Sequence, residues 1–239
     1  AWRAPHVYEL YSNGNELSSG TFVKGDSTLR SEQSYKWVTS LCYHDSWVHA
    51  RIDAYLQWIN HYIYDYPTRQ NVVVVSGAYP VFQYVQTNAL FRGVDVDVHL
   101  YPLQTLDYRV YGSWIWANEQ RTKAYLPYIP SFKFTQQLTW TPSFRGAWQP
   151  SVGIEHRYVA KQRRFNAATD LTDDTPAAYH LVGFNCGVTW KMPHHQQLSL
   201  LFEGTNVLNQ LYKEYTNRSR YYAHDLGRDI RCTLRWKLN

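Results

Sequence analysis

Apolar and polar residues alternate along most of this chain with a period of two, the period of a strand. Between Asp229 and Leu238, Ile230, Cys232, Leu234, Trp236 and Leu238 interleave with Asp229, Arg231, Thr233, Arg235 and Lys237. A strand sends two such sets to opposite faces. After Leu106 the pattern recurs: Leu106, Tyr108, Val110, Trp114 and Trp116 fall on one face and Asp107, Arg109, Tyr111 and Ser113 on the other, with Ile115 an exception. Val94, Val96, Val98 and Leu100 oppose Asp95, Asp97 and His99 in the same way. About nine segments of this kind are predicted, at residues 32–44, 46–64, 81–101, 105–118, 131–141, 145–160, 179–191, 196–209 and 221–238. Several exceed the usual length of a soluble strand. Such lengths suit strands that cross a bilayer obliquely and project beyond it.

The connections alternate in length. Short ones fall at His44-Asp45, Pro102-Leu103-Gln104, Pro142-Ser143-Phe144 and Met192-Pro193-His194-His195, and long ones at 65–80, 119–130, 161–178 and 210–220. This alternation marks a membrane barrel, with periplasmic turns at one end and extracellular loops at the other. A sandwich would show turns every 8–12 residues without it. Trp37, Trp47, Trp58, Tyr62, Tyr64, Tyr101, Trp114, Trp116, Trp140, Trp190 and Trp236 gather near strand ends, as interfacial girdles require. Val72-Val73-Val74-Val75 reads as a hairpin arm above the membrane, and residues 3–11 as a site for one helical turn. No linker or helical repeat divides the chain. The predicted fold is all-β: an antiparallel transmembrane barrel segment of about nine strands.

Composition narrows the picture. Ten Trp, 21 Tyr and 9 Phe make the chain too aromatic for disorder. No run of about 18 apolar residues predicts a membrane helix. Cys42, Cys186 and Cys232 are too scattered for a disulfide framework. The net charge of +5 is mild, and no basic block points to nucleic acid. Ala1 opens directly onto Trp2, with no leader-type sequence, so the chain reads as a mature piece or a fragment of something longer.

Several motifs resemble one family. Trp2-Arg3-Ala4-Pro5 followed by Tyr8-Glu9-Leu10-Tyr11 resembles the F-R-A-P-x-x-x-E-L-Y stretch of TonB-dependent outer-membrane receptors. Leu29, Arg30 and Glu32 match that family's later N-P-x-L-[KR]-P-E, although the Asn-Pro and the second Pro are missing. Ala89-Leu90-Phe91-Arg92-Gly93-Val94-Asp95 is similar to its A-x-x-x-G-[VF]-[ED] strand. Asn206-Val207-Leu208-Asn209 with Tyr212 is similar to its N-L-F-[ND]-x-x-Y, and Gly227-Arg228 opens a final strand as in those receptors. The resemblance runs from end to end and covers the C-terminal part of such a receptor.

It implies a section, residues 1–239, of a 22-stranded barrel whose plug domain and early strands lie N-terminal to it. It implies a cell outer membrane location in a Gram-negative bacterium, and contact with membrane lipid and lipopolysaccharide. It implies import of a scarce nutrient chelate, energised through TonB by way of the plug. An iron–siderophore complex leads on family frequency, with haem and cobalamin as alternatives. Nine strands are an odd number where bacterial barrels are even, and alone they would leave two open edges that lipid does not tolerate. Two positions depart from the family. Asn13-Gly14-Asn15-Glu16-Leu17 holds none of the His residues common in haem- and metal-type receptors, and the chain ends Leu238-Asn239 instead of on an aromatic residue. Trp236 is the nearest substitute. The rival classes are a passive porin and a soluble carbohydrate-binding β-protein.

The candidate ligand-binding residues are His6, Tyr64, Tyr66, Tyr125, Tyr128, Arg163, Arg164 and Tyr221, all at or near the bases of extracellular loops. Tyr79 and Tyr222 belong to the same set of tyrosines. Such aromatics either line a vestibule, stacking on a catechol- or haem-like ligand, or anchor a girdle. Lys161, Arg163 and Arg164 either attract an anionic chelate or a lipopolysaccharide phosphate, or form a solvated charge run. His6 is a ligand contact or a loop-base hydrogen bonder. His194-His195 looks like a metal pair, but neighbours in an extended chain point apart. Asp170, Asp173 and Asp174 offer hard oxygens for Ca²⁺ without the spacing of a calcium loop. Asp95, Asp97, Asp107, Arg109, Arg231 and Arg235 read as a wet interior facing the plug. Asp95 and Asp97 stand roughly 6–7 Å apart on one face, yet nothing completes a catalytic constellation, and no enzyme, cofactor or resident metal is expected.

Overall fold

The computed structural model describes residues 1–144, 146–192 and 196–238, so the predicted His194-His195 turn lies outside the described residues. A short strand β1 (Trp2–Arg3), a helical turn α1 (Val7–Tyr11) and a hairpin of β2 (Asn13–Glu16) and β3 (Thr21–Lys24) precede nine longer strands. These are β4 (Glu32–His44), β5 (Val48–Val74), β6 (Gly77–Leu103), β7 (Leu106–Glu119), β8 (Lys133–Trp140), β9 (Trp148–Val159), β10 (Tyr179–Lys191), β11 (Gln197–Thr205) and β12 (Asp229–Lys237). β1 and the nine longer strands lie in one sheet in the order β1-β4-β5-β6-β7-β8-β9-β10-β11-β12, each neighbour antiparallel. Among the described residues no helix is long and apolar enough to cross a membrane.

The register carries the alternation across the whole sheet. Ser40, Asp53, Asp95, Ser113 and Lys133 lie in one cross-strand row, and Arg51, Asp97, Tyr111, Thr135 and Arg157 in the next. These rows form the wet face, where Arg109 clamps Asp97 through Nε (2.9 Å) and Nη2 (2.7 Å). Ser113 donates to Asp95 at 2.6 Å. The opposite face presents Leu41, Ile52, Val96, Val110, Leu138, Ile154, Phe202 and Leu234. Leu41 and Leu234 are each 68% exposed and Ile154 53%. A water-soluble protein does not leave so continuous an apolar band to water; a barrel wall turns it to lipid.

Aromatic rings bound the band at two heights. Tyr43, Trp47, Trp140, Trp148, Trp190 and Trp236 mark the short-turn end, with Trp148 and Trp190 stacked at 5.3 Å. Tyr35, Trp58, Trp114, Trp116, Phe134 and Tyr158 mark the loop end, with Trp114 and Trp116 stacked at 4.4 Å. Along β9, Trp148 and Tyr158 are ten residues apart. At about 3.3 Å per residue and a tilt near 40°, that spans roughly 25 Å, the height of a barrel's apolar belt.

Two sequence expectations are corrected. Residues 65–80 are not a loop: β5 and β6 continue as one tall hairpin with Val74 paired to Gly77. Its arms pair through two bulges, where His61 (φ 57°) and Arg69 (φ 59°) take left-handed conformations. Each extra residue resets the alternation. Above the first bulge Tyr62, Tyr64 and Tyr66 therefore share one face and Ile63, Asp65 and Pro67 the other. The bare edge of β6 above the end of β7 is covered by β3, which pairs with it in parallel at Phe22↔Val81 and Lys24↔Gln83. The second correction concerns the last strand, which starts at Asp229; residues 221–228 belong to the preceding loop.

The sheet keeps two open borders. Past Trp2 and Arg3, β4 has no second neighbour along Tyr35–His44 among the described residues, and β12 pairs only with β11.

Candidate functional site

The N-terminal motif residues form one ion-paired knot at the loop end. Arg3 Nε donates to Glu32 at 2.9 Å while its Nη1 donates to both oxygens of Glu9 at 2.9 and 3.0 Å. Glu32 first and Glu9 second hold the Arg3 guanidinium above its ordinary value. The other Glu32 oxygen accepts the Ile63 amide at 2.7 Å, fixing the tall hairpin just above its first bulge. Leu29 is buried beside the knot. Gly93 faces Tyr55, whose ring would stand 2.2 Å from an added Cβ. Asn206 and Asn209, both with positive φ, staple the last long loop: Asn206 donates to the Gln210 and Leu226 carbonyls, and Asn209 accepts the Arg228 amide.

Above the wall, the loops 120–132, 160–178 and 206–228 fold together against the tall hairpin. Leu126 and Ile129 cover Ile59, Ala89 and Ala117, with Ile115 and Phe91 packed against them. This explains why Ile115 breaks the polar alternation: at this height the wet face is roofed by a loop. Two guanidiniums dominate the cluster. Arg220 is 3% exposed and Asp170 2%. Arg220 Nη2 donates to Asp170 at 2.6 Å and to the Tyr221 hydroxyl at 2.9 Å, and Tyr221 donates to Asp170 at 2.8 Å. The same guanidinium lies over the rings of Tyr215 (4.7 Å) and Tyr221 (4.3 Å).

Arg218 is only partly covered. It pairs with Asp65 on the tall hairpin and lies over Phe82 (5.5 Å) and Tyr128 (5.2 Å). Asp65 stands above the first bulge, clear of the belt. Burial pushes its carboxyl up and the Arg218 charge pulls it back. Asp65 Oδ2 and the Tyr128 hydroxyl are buried without a hydrogen-bond partner. They are groups that a bound molecule could satisfy. Glu214 drops from the last loop onto Lys133 and accepts from Tyr179 at 3.3 Å, above a wet groove of about 360 Å³ that also touches Asp97, Arg109 and Arg157.

Burial pushes the Tyr128 and Tyr215 phenols from 10.0 up to about 12. A phenol raised in the folded state contributes stability below the unfolded value, and that contribution is lost as the pH climbs through the folded one. The loop cluster should thus hold at neutral pH and loosen between about pH 10 and pH 12. Ultraviolet titration of the phenols with loop fluorescence checks this; ionisation of all tyrosines near pH 10 with the loops unchanged contradicts it.

The structure places the sequence candidates at different stations. Tyr128 and Tyr221 stand in the cluster. Tyr64 packs on the apolar roof beside Tyr62, Tyr66 lies on the hairpin arm, and Tyr125 bridges to Asn118 at the rim. His6 is exposed and caps α1, its amide bonded to Glu9 at 2.7 Å. Arg163 and Arg164 lie elsewhere, with Arg164 over Trp114 and Trp116 on the apolar side of the wall. Asp170, Asp173 and Asp174 do not converge: each pairs with a different cation, Arg220, Arg69 and Lys161. No metal-type cluster exists among the described residues. Sequence reasoning missed Asp65, Tyr215, Arg218 and Arg220. Only the Arg218-Ser219-Arg220 spacing beside Tyr221 and Tyr222 hinted at them.

The family model described as TonB dependent receptor-like, beta-barrel matches residues 1–207. No curated protein matches the chain. Among solved structures, the copper transporter OprC superposes with a TM-score of 0.71 at 19% identity, over 96% of this chain and 34% of that one. The siderophore receptor PirA from Acinetobacter baumannii gives 0.64 at 16% identity, over 98% and 37%. The FrpB iron transporter from Neisseria meningitidis gives 0.60 at 15%, over 90% and 32%. This chain spans about a third of the length of these proteins, and such identities speak for the fold alone.

Proposed function

The chain belongs to the TonB-dependent receptor-like β-barrel family of outer-membrane transport receptors, and from that premise we propose that it supplies wall and mouth of a receptor importing a scarce nutrient chelate, an iron–siderophore complex first among candidates. The remaining strands and a plug domain of the same full-length chain complete the pore in this reading, and TonB of a Gram-negative cell energises it through the plug. The part is transport, not catalysis. The open borders along β4 and β12 support completion by further strands, because unpaired peptide groups cannot face hydrocarbon.

One observation carries the reading: a wall apolar outside and charged inside ends in a roof where arginine faces tyrosine. Arg218, partly open and flanked by Tyr128 and Phe82, suits an anionic aromatic chelate through charge and cation–π contact. Haem and cobalamin are the alternative cargoes.

The full-length receptor is tested by quenching of its intrinsic tryptophan fluorescence with a ferric catecholate, haem and cobalamin. Growth on each as sole source is compared with and without TonB. Saturable binding of the ferric catecholate and TonB-dependent growth are expected, with Arg218→Ala weakening binding at least about tenfold, the worth of one charged hydrogen bond. A large steady single-channel conductance with no ferric chelate bound would mean a passive porin.

A further inference from the structure

At the loop end of the apolar face, Trp114, Phe132, Tyr158, Ala160 and Ala178 line a notch of about 430 Å³ whose upper rim is Lys161, Arg163 and Arg164. Trp114 and Tyr158 belong to the girdle, so the notch opens outward through the wall at headgroup height. It is separate from the roofed cluster around Arg218 and Arg220.

Only one of the three cations of this rim is paired with a carboxylate. Lys161 pairs with the exposed Asp174 at 2.7 Å. Arg163 is exposed, and neither it nor Arg164 has a carboxylate partner among the described residues. Arg164 is half-buried over the Trp114 and Trp116 rings, donates to the Ile115 carbonyl at 3.1 Å and leaves its Nε without a partner. Burial pushes this guanidinium below its ordinary value. A desolvated cation lacking an anion is an incomplete arrangement.

Beside and beneath the notch the apolar face turns polar along one diagonal of hydrogen bonds that crosses β7, β8, β9 and β10. Tyr108 donates to Gln136 at 2.8 Å, Gln136 meets His156 at 3.0 Å, and His156 meets His180 at 2.9 Å. Tyr158 lies against His180 at 4.8 Å. His156 is two residues below Tyr158 on β9, at the depth where the sugar and acyl linkages of a lipid lie, not the hydrocarbon midplane. Polar groups on a lipid-facing surface are costly unless they meet polar partners.

We propose that this notch is a docking site for the phosphorylated sugar headgroup of the glycolipid in the surrounding outer leaflet. Lys161, Arg163 and Arg164 take the phosphate, Trp114 and Tyr158 flank the sugar, and the hydrogen-bonded Gln136–His156–His180 diagonal meets the polar linkages beside and beneath it. A phospholipid offers the charge but not the sugar. An anionic chelate offers charge but approaches from the water above the mouth, not from the lipid side. The assignment rests on the outer-membrane reading and adds a lipid partner to it.

The test uses the full-length receptor, extracted in mild detergent and passed through extensive detergent exchange, with bound lipopolysaccharide, phospholipid and free phosphate quantified by mass spectrometry. Wild-type protein should retain lipopolysaccharide near one per chain. Arg163→Gln with Arg164→Gln should retain at least tenfold less, while Arg121→Gln, an exposed arginine on another loop, retains the wild-type amount. Heat-modifiable gel migration confirms that each variant is folded, and His156→Leu, which leaves the cations in place, should lower retention by a smaller factor. Equal retention by the double arginine variant overturns the proposal. So does retention of phospholipid or free phosphate alone. Loss of ferric-chelate binding with lipopolysaccharide unchanged overturns it as well and assigns the cations to cargo. Failure of the transport reading shows instead as absent chelate binding in wild-type protein, whatever lipid it carries.

Discussion

Arg220→Ala is expected to destabilise the roof of loops by about 3–5 kcal/mol, the cost of leaving a buried charge without its partner. The side chain removed is 3% exposed and the carboxylate left behind 2%. Asp170 would keep only the Tyr221 hydroxyl and the Thr172 amide and hydroxyl as donors, at 2.8, 3.2 and 3.3 Å. Asp170→Asn in the same background should recover part of the loss, because the stranded charge disappears with it. Hydrogen exchange across residues 160–178 and 206–228 reads the effect locally, where a global melting curve of so large a sheet would dilute it. Unchanged protection in Arg220→Ala would show that apolar packing alone holds the loops.

Ile154→Arg is expected to cost about 2–4 kcal/mol in a bilayer, while Glu155→Gln beside it stays within about 0.5 kcal/mol. The two residues are chain neighbours on opposite faces of β9. Ile154 pairs across to Leu138 and Phe184 in the apolar band, and Glu155 to Gln137 and Gly183 on the wet face. Urea unfolding of the full-length receptor in lipid vesicles measures both. Equal responses at the two positions would remove the assignment of lipid to the apolar face.

Much of the wall is legible in the sequence. Residues 32–44 and 179–191 are strands over the predicted bounds, because alternation and flanking turn residues agree there. The tall hairpin is harder to see in the sequence, because Pro67, Pro80 and Ser76-Gly77 look like loop chemistry. What keeps the backbone extended is not local: the second bulge lies between Pro67 and Asn71, whose partner is Pro80, and β3 arrives from some sixty residues away to cover the edge of β6. The opposite error at residues 221–228 has a similar cause. Asn206 and Asn209 hold that segment in a loop by hydrogen bonds across nineteen or twenty positions. For the site, aromatic placement near loop bases found Tyr128 and Tyr221. The arginines escaped because their partners, Asp65 and Asp170, stand 153 and 50 residues away in the chain. An ion pair between segments so far apart in the chain leaves no spacing to read.

The indole and phenol rings at the two ends of the wall act as a ruler. Their separation along β9, ten residues, fits a hydrocarbon layer of roughly 25 Å. A bilayer near 30 Å would force lipid tails to pinch or strands to steepen, at a fraction of a kcal/mol for every ångström of misfit. Multiplied round a full circumference, that penalty grows with each stave. The wall is therefore dimensioned for a thin membrane, and its thickness preference is written in the spacing of rings rather than in any binding contact.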